Sequence, residues 1–443
     1  MTQCSQARWF ILEILVAAAL LAPCTVSSAT KSEQKHGYVG SNTCKGCHVP
    51  EANSWSQTLH SRMMRTTAED KQIGVMDLAA SRPPFPIKDV AYVLGNMRKL
   101  LFLQKQGNGF NVLGNQYSLA SAAWEPLDVH QWDHIFGSAA DKGLATTEPL
   151  SWNDRCAACH STGYDPTTRT FSQASITCEA CHGPGAKHAA SKKRDDIVNP
   201  AALRGEKANH VCAQCHARGN DTSGKYPYPV GFKPGHDLSE SFIFAEPIKG
   251  ENSDLFWGNG MARKHHAQYN EFIQSKHFQN GLHCFDCHEV HAFRTVPSST
   301  QTRLMAETER FLLKKRARFI CFKCHTSRET EFVADQRAAG GKIVDQHTHH
   351  PPVLTETVHD GKSVAEPRME LKKMYCGDCH MPRAETGAAG YDIRAHTFKI
   401  PSPSETIAYG APNACTDCHS TQSPKWAEQW IINWRRERTK TPK

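Results

Sequence analysis

The sequence predicts a mainly α-helical fold with extensive loops and one small β-hairpin region near residues 90–113. Hydrophobic residues make up only 39% of the 443 residues, and 29 glycines and 24 prolines interrupt regular elements. That composition is thin for a conventional apolar core of this size. In addition, the pattern Cys-x-x-Cys-His occurs eight times, which indicates that a repeated non-protein group completes the interior.

The repeated pattern has the spacing of c-type haem attachment. Two thiols three positions apart reach both vinyl groups of one porphyrin, and the adjacent imidazole takes an axial position on the iron. We therefore expect eight covalently attached haem c groups and a haem-packed multihaem cytochrome c. The attachment cysteines, which define motifs 1 to 8 in chain order, are Cys44/Cys47, Cys156/Cys159, Cys178/Cys181, Cys212/Cys215, Cys284/Cys287, Cys321/Cys324, Cys376/Cys379 and Cys415/Cys418. The proximal iron ligands are His48, His160, His182, His216, His288, His325, His380 and His419.

Zinc is the main alternative to haem. Cys156, Cys159, Cys178 and Cys181 also have the spacing of a zinc ribbon. A zinc ribbon does not use a histidine directly after each second cysteine, yet all eight copies carry one. The sequence therefore favours haem.

Residues 1–29 resemble an export signal, with an apolar run over Trp9–Ala22 that is too short to span a bilayer. Two alternatives stay open, an uncleaved anchor and a lipoprotein signal at Cys24. Cleavage removes Cys4 and Cys24 and leaves sixteen thiols, the number that eight motifs consume. We expect an exported protein, periplasmic or at the cell surface of a bacterium, because haem attachment takes place outside the cytoplasm.

The formal net charge of +8 does not predict a nucleic-acid partner. With about two propionates and one positive iron charge each, eight oxidised haems would add about −8 and eight reduced haems about −16, which makes the holoprotein near neutral or acidic. The basic runs Lys192–Arg194 and Lys314–Arg318 are then propionate partners or a solvated face.

The chain divides into three regions after the signal. Residues 30–150 carry the first haem and a small β module, with strands predicted over Val90–Leu94, Leu100–Gln104 and Phe110–Leu113. Residues 151–420 form a core with seven haems. Residues 421–443 form a tryptophan-rich helix and tail, in which Pro424 is the first helical residue after the cap Ser423. Its tryptophans recur every four residues and predict a packing face against haem or a partner, at Trp426, Trp430 and Trp434.

Seventeen histidines lie outside the motifs, enough to supply a second axial ligand to every iron. Position along the chain selects eight candidates, and for each of them an ordinary surface histidine is the alternative. The candidates are His60, His188, His236, His277, His291, His396, and His349 and His350 from the cluster that also contains His347.

Several sequence segments around these residues resemble those of the multihaem cytochromes with cytochrome c-554-type domains. They are Trp55–His60, Cys178–Gly185 with His188, Ser275–His277 leading to Cys284 and His291, Cys376–Pro382, and Arg394–Pro401 leading to Cys415. The resemblance implies that His60, His188, His277, His291, His396 and one member of His347–His350 are distal ligands. Such relatives are often fused to tetratricopeptide repeats, which do not follow here.

Two functions remain open at this point. In the favoured one, the protein carries electrons along its haems and exchanges them with other cytochromes or a membrane quinol-oxidising complex. Peripheral membrane association and the oligomeric state stay open, including end-to-end assembly into a wire.

The alternative function is a multi-electron oxidoreductase acting on a nitrogen or sulfur compound of the nitrite, hydroxylamine or tetrathionate type. That reaction needs an open axial position, with Lys264, His265, His266 and Tyr269 as its surroundings. All eight motifs end in His, which favours the carrier.

Overall fold

The computed structural model describes residues 37–73, 77–95, 99–119, 121–127, 151–291, 320–325, 347, 349–350, 376–385 and 392–440. The predicted signal at 1–29 and the basic run Lys314–Arg318 lie outside these residues. No helix in the described part is both long and apolar enough to cross a membrane.

Short helices recur along the described chain. The α-helices cover Ser41–Lys45, Val49–Trp55, Thr67–Ile73, Trp152–Arg155, Ala157–His160, Cys178–His182, Ala186–Ser191, Glu206–His216, Gln268–Phe272, Lys276–Gln279, Cys284–Cys287, Cys376–His380, Pro403–Tyr409, Ala414–Cys418 and Pro424–Lys440. Single 3-10 turns cover Ile87–Asp89, Arg194–Asp196, Pro200–Ala202, Leu238–Glu240 and Cys321–Lys323. The expected short helices and long loops are therefore present.

The β region is larger than the predicted hairpin. Six antiparallel strands form one sheet, in which β3 pairs with β2 on one edge and with β4 and β5 on the other. The strands are β1 Met64–Arg65, β2 Tyr92–Leu94, β3 Lys99–Gln106, β4 Gly109–Val112, β5 Asn115–Ser118 and β6 Ala123–Pro126. The prediction located β2, β3 and β4, but it missed the other three because they are short or polar. Two-stranded pairs join Ser161–Thr162 with Gln173–Ala174, Gly219–Asp221 with Phe242–Phe244, and Arg383–Glu385 with Asp392–Arg394.

The sheet buries both of its faces. Successive side chains of a strand point to opposite faces, so Leu100 and Phe102 of β3 enter one cluster while Leu103 enters another. The cluster that contains Leu103 also contains Trp152, which is fully buried just before motif 2. The sheet is therefore the support on which motif 2 rests.

A glycine allows the sheet and the motif 2 segment to approach closely. The Asn153 side chain accepts a hydrogen bond from the Phe110 backbone N–H at 2.6 Å. A Cβ atom at Gly109 would lie only 2.3 Å from Asn153 Oδ1, a separation that real atoms do not reach. Any other residue at position 109 would displace the Asn153 amide and disturb its hydrogen bond to Phe110.

Candidate haem-binding sites

Each motif forms a helical turn, which stands alone in most motifs and ends the longer helix Glu206–His216 in motif 4. Within one turn, residues three and four apart share a face, so the two cysteines and the histidine of a motif lie on the same side. The turn is closed by a hydrogen bond from the histidine N–H to the first cysteine carbonyl, for example 2.8 Å between His48 and Cys44 and 2.8 Å between His419 and Cys415. Two thiols and one imidazole are thus presented together.

Every motif histidine lies opposite a second histidine. The distances between ring centroids fall between 6.0 and 6.5 Å in all eight cases. The pairs are His48 with His188, His160 with His266, His182 with His291, His216 with His60, His288 with His396, His325 with His277, His380 with His347, and His419 with His350.

This spacing fits one metal ion between two imidazoles. A metal–imidazole bond of about 2 Å on each side, added to the ring radii, separates the centroids by roughly 6 Å. Imidazoles in direct contact lie closer, as His265 and His266 do at 4.4 Å. The residues present therefore fit a haem iron at each of the eight positions.

Hydrogen bonds set the ring nitrogen that faces the partner histidine. A carbonyl oxygen can only accept, so an Nδ1 atom bonded to it carries the proton and leaves the Nε2 lone pair available. Four of the paired histidines have such a bond, at 2.8 to 3.0 Å. They are His182 to Val198, His188 to Lys193, His380 to Lys399, and His396 to Arg394.

Burial keeps several of these imidazoles neutral. It lowers the pKa of His160, His216 and His396 to about 4, and it lowers the pKa of His266 well below the ordinary value. A neutral imidazole is the form that binds a metal. These four histidines are thus in the ligating state at neutral pH.

Buried side chains position the distal histidines from other parts of the chain. The Glu179 carboxylate accepts hydrogen bonds from the backbone of Val39, Gly40 and Gly185 at 2.7 to 2.9 Å. It thereby joins the segment before motif 1 to the turn that leads into the His188 helix. In the same way, the Glu271 carboxylate accepts from the backbone of Ala262 and His396, both at 2.7 Å.

The structure places two of the sequence-based candidates elsewhere. His236 is exposed, and within the described chain no ring pairing joins it to a motif histidine. His349 stacks flat on Trp434, with centroids 4.4 Å apart and ring planes 3° from parallel. His347 lies beside His380 instead. His266 lies 6.5 Å from His160 and 6.0 Å from His216, and because His216 also has His60 opposite it, His266 is left as the partner of His160. From the sequence, His266 is expected only among the surroundings of an open site, although the neighbouring His265 and the following motif 5 are signals of a ligand.

The cysteines of different motifs meet one another. Thiol–thiol hydrogen bonds raise the pKa of one partner and lower that of the other in four pairs, Cys44/Cys178, Cys215/Cys159, Cys212/Cys284 and Cys321/Cys376. Three further thiols lie near enough to raise the pKa of a cysteine in another motif: Cys212 acts on Cys181, Cys287 on Cys321, and Cys415 on Cys379. The motifs therefore follow the spatial order 1, 3, 4, 5, 6, 7, 8, and motif 2 lies beside motif 4.

Direct hydrogen bonds agree with this order. Gln214 of motif 4 donates to the Ala180 carbonyl of motif 3 at 3.0 Å, while the Cys159 thiol of motif 2 lies 3.8 Å from the Gln214 carbonyl. The Arg383 backbone donates to Asp417 of motif 8 at 3.2 Å.

The contacts of these cysteines differ from those expected of a zinc ribbon. Cys178 and Cys159 contact cysteines of other motifs rather than each other. In the described residues, no group of three or more His, Cys, Asp or Glu side chains is arranged to hold a metal ion directly.

Comparison with known proteins agrees with the haem assignment. The family model described as cytochrome c554 and c-prime matches residues 43–82 and 121–183. The chain resembles the cytochrome c554 family. The resemblance predicted from the sequence is thereby confirmed. No curated protein matches the chain significantly.

Solved structures extend the comparison to the whole fold. The outer cell wall cytochrome OcwA is 23% identical with a TM-score of 0.61, over 90% of this chain and 87% of that one. This likeness shows a shared cytochrome fold. An undecaheme S-layer cytochrome from Carboxydothermus ferrireducens is 20% identical with a TM-score of 0.45, over 86% of this chain and 57% of that one. The octaheme sulfite reductase MccA from Wolinella succinogenes is 16% identical with a TM-score of 0.40, over 84% and 59% of the two chains.

Proposed function

We propose that this chain is an exported octahaem c-type cytochrome that carries electrons along a row of covalently bound haems. One observation carries the proposal: each of the eight motif histidines lies 6.0 to 6.5 Å from a second histidine. Each bound haem would supply reversible one-electron chemistry.

The chain supplies the axial ligands of every site. We assign the motif histidines as proximal ligands. The distal ligands are His188, His266, His291, His60, His396, His277, His347 and His350 for motifs 1 to 8. His266 and His347 thus replace His236 and His349 among the candidates from sequence.

Two histidines per site support a carrier rather than an enzyme. Catalysis on a bound nitrogen or sulfur compound needs an iron position that substrate can occupy, and here a side chain faces every motif histidine. A six-coordinate site keeps the same ligands in both oxidation states, so little has to move when an electron arrives or leaves.

The spatial order of the motifs supports transfer between two ends. Motifs 1 and 8 end the row, and one cysteine of each is exposed, Cys47 and Cys418. Cys324 of motif 6 is exposed as well. These edges are where a redox partner such as another cytochrome or a quinol-oxidising complex would come close. Location outside the cytoplasm agrees with the attachment chemistry and with the similarity to OcwA, an outer cell wall cytochrome.

Haem content and spin state test the proposal together. A haemochrome assay of the purified protein should give eight haems per chain, and fewer would contradict the attachment argument. Electron paramagnetic resonance of the oxidised protein should show only low-spin iron, unchanged by nitrite or hydroxylamine. A high-spin signal that responds to either compound would favour the oxidoreductase instead.

A further inference from the structure

The C-terminal helix, Pro424–Lys440, lies against the eighth haem site. Its start is fixed by Ser423, whose hydroxyl accepts from the Trp426 backbone N–H at 3.2 Å. The helix packs on the helices Pro403–Tyr409 and Ala414–Cys418, and Ala427 is buried. Residues four apart share one helix face, so the three tryptophans form a single row.

The two ends of this row contact the two imidazoles of the last histidine pair. The Trp426 ring lies 5.0 Å from the ring of His419, the motif histidine. The Trp434 ring lies 6.3 Å from His350 and meets it edge to face, at 70°. One helix therefore touches both sides of the site.

Trp434 also holds the residue next to His350. The rings of Trp434 and His349 are 4.4 Å apart and almost parallel. Because His349 and His350 are consecutive, this stack fixes the backbone from which His350 reaches its partner. The edge contact in turn limits the rotation of the His350 ring.

The arrangement is particular to the last site. In the described part of the chain, no other histidine pair has both imidazoles against aromatic rings of the same helix. The middle tryptophan, Trp430, is 44% exposed. Its ring contacts Trp426 and Trp434, and no described ring contact joins it to either histidine.

We infer that Trp426 and Trp434 are positioning residues that hold His419 and His350 on the iron axis of the eighth haem. The inference rests on the proposed function. Groups around a metal ligand orient it and tune the metal, and these two rings do so from one rigid helix. At an exposed end of the motif row, fixed ligands keep the site closed to small molecules while electrons pass to a partner.

The test uses the full-length holoprotein with Trp434→Ala, Trp434→Phe and, as the matched control on the same helix, Trp430→Ala. Reduced proteins are titrated with carbon monoxide, and oxidised proteins are studied by electron paramagnetic resonance. In Trp434→Ala we expect one of the eight irons to become high-spin or to bind carbon monoxide. Trp434→Phe should retain eight low-spin irons, with the signal of one of them shifted. Trp430→Ala should match the unaltered protein.

Two results would overturn the inference. One is a Trp434→Ala protein with eight haems, all low-spin and inert to carbon monoxide. The other result applies if Trp434→Ala does not fold. In that case, a Trp434→Phe protein whose electron paramagnetic resonance signals equal those of the unaltered protein would overturn the inference. Failure of the proposed function looks different, because the unaltered protein itself would then have fewer than eight haems or contain high-spin iron.

Discussion

At the scale of single residues, the environment of a histidine decides whether it faces a motif. His236 follows a glycine and His266 follows a histidine, but His236 is exposed whereas His266 is partly buried. Its backbone adopts a left-handed conformation, φ 62°, which is uncommon for residues other than glycine. Arg218 fixes this turn by donating from Nε to the His265 carbonyl at 2.7 Å. The His266 ring is thereby brought opposite His160.

The pair His266 and His236 allows a direct test of the ligand assignment. In His266→Ala we expect one iron of eight to change from low-spin to high-spin, because the position opposite His160 loses its imidazole. His236→Ala should keep all eight irons low-spin, since that side chain is exposed. Electron paramagnetic resonance of both oxidised variants gives the comparison. The reverse result, with the change in His236→Ala alone, would contradict the assignment.

The sequence identifies the motif histidines more directly than the histidines that lie opposite them. The proximal histidine follows its cysteines directly, so the local spacing determines its role. A distal histidine is selected by tertiary contacts such as those of Glu271 with the His396 backbone, 125 residues away in the chain. His60, His188, His277, His291, His350 and His396 were nevertheless found as candidates, because they lie near turns or inside phrases shared with a family.

At the scale of elements, the sheet shows which strands the pattern of apolar and polar residues can predict. β2, β3 and β4 contain alternating or continuous apolar residues and were expected. β5 reads Asn-Gln-Tyr-Ser, and its pairing with β3 at Leu100 and Tyr117 follows from the fold rather than from its own composition. The start of the C-terminal helix at Pro424 was also expected, and its cap is confirmed. The contact of this helix with the eighth histidine pair was not expected, because His349 and His350 lie far from it in the chain.

The sheet core should stabilise the N-terminal region independently of the haems. Phe102 is fully buried, and its ring contacts Phe85 and Trp124 at 5.2 and 5.0 Å. Phe102→Ala should lower the free energy of unfolding by about 3–5 kcal/mol, because it removes a large buried side chain and leaves a cavity. Chemical unfolding followed by tyrosine and tryptophan fluorescence measures the loss. Ile243→Ala, at a residue 61% exposed, is the control and should change stability little. An unchanged midpoint for Phe102→Ala would contradict this packing.

At the scale of the whole molecule, the spatial order of the motifs differs from their order in the chain. Motif 2 precedes motif 3 in sequence, but its Cys159 contacts motif 4. Motif 3 lies between motifs 1 and 4, through Cys178 and Cys181. Such an order cannot be deduced from spacing, since it depends on how the sheet under Trp152 and the Glu206–His216 helix place the motifs. The row from motif 1 to motif 8 is therefore continuous without motif 2, which forms a side branch.

This branch predicts different effects for the loss of two motifs. Cys156→Ala with Cys159→Ala should leave transfer between the two ends largely intact, because the thiol contacts that place motif 2 join it to motif 4 and not between two motifs of the row. Cys284→Ala with Cys287→Ala should abolish most of it, because motif 5 joins motif 4 to motif 6. The current from an electrode at the N-terminal end to a soluble acceptor measures electron transfer. A content of seven haems per chain in both variants shows that the remaining haems are attached. If the two losses reduced the current equally, motif 2 would have to lie on the main row, and the order derived from the thiol contacts would be incorrect.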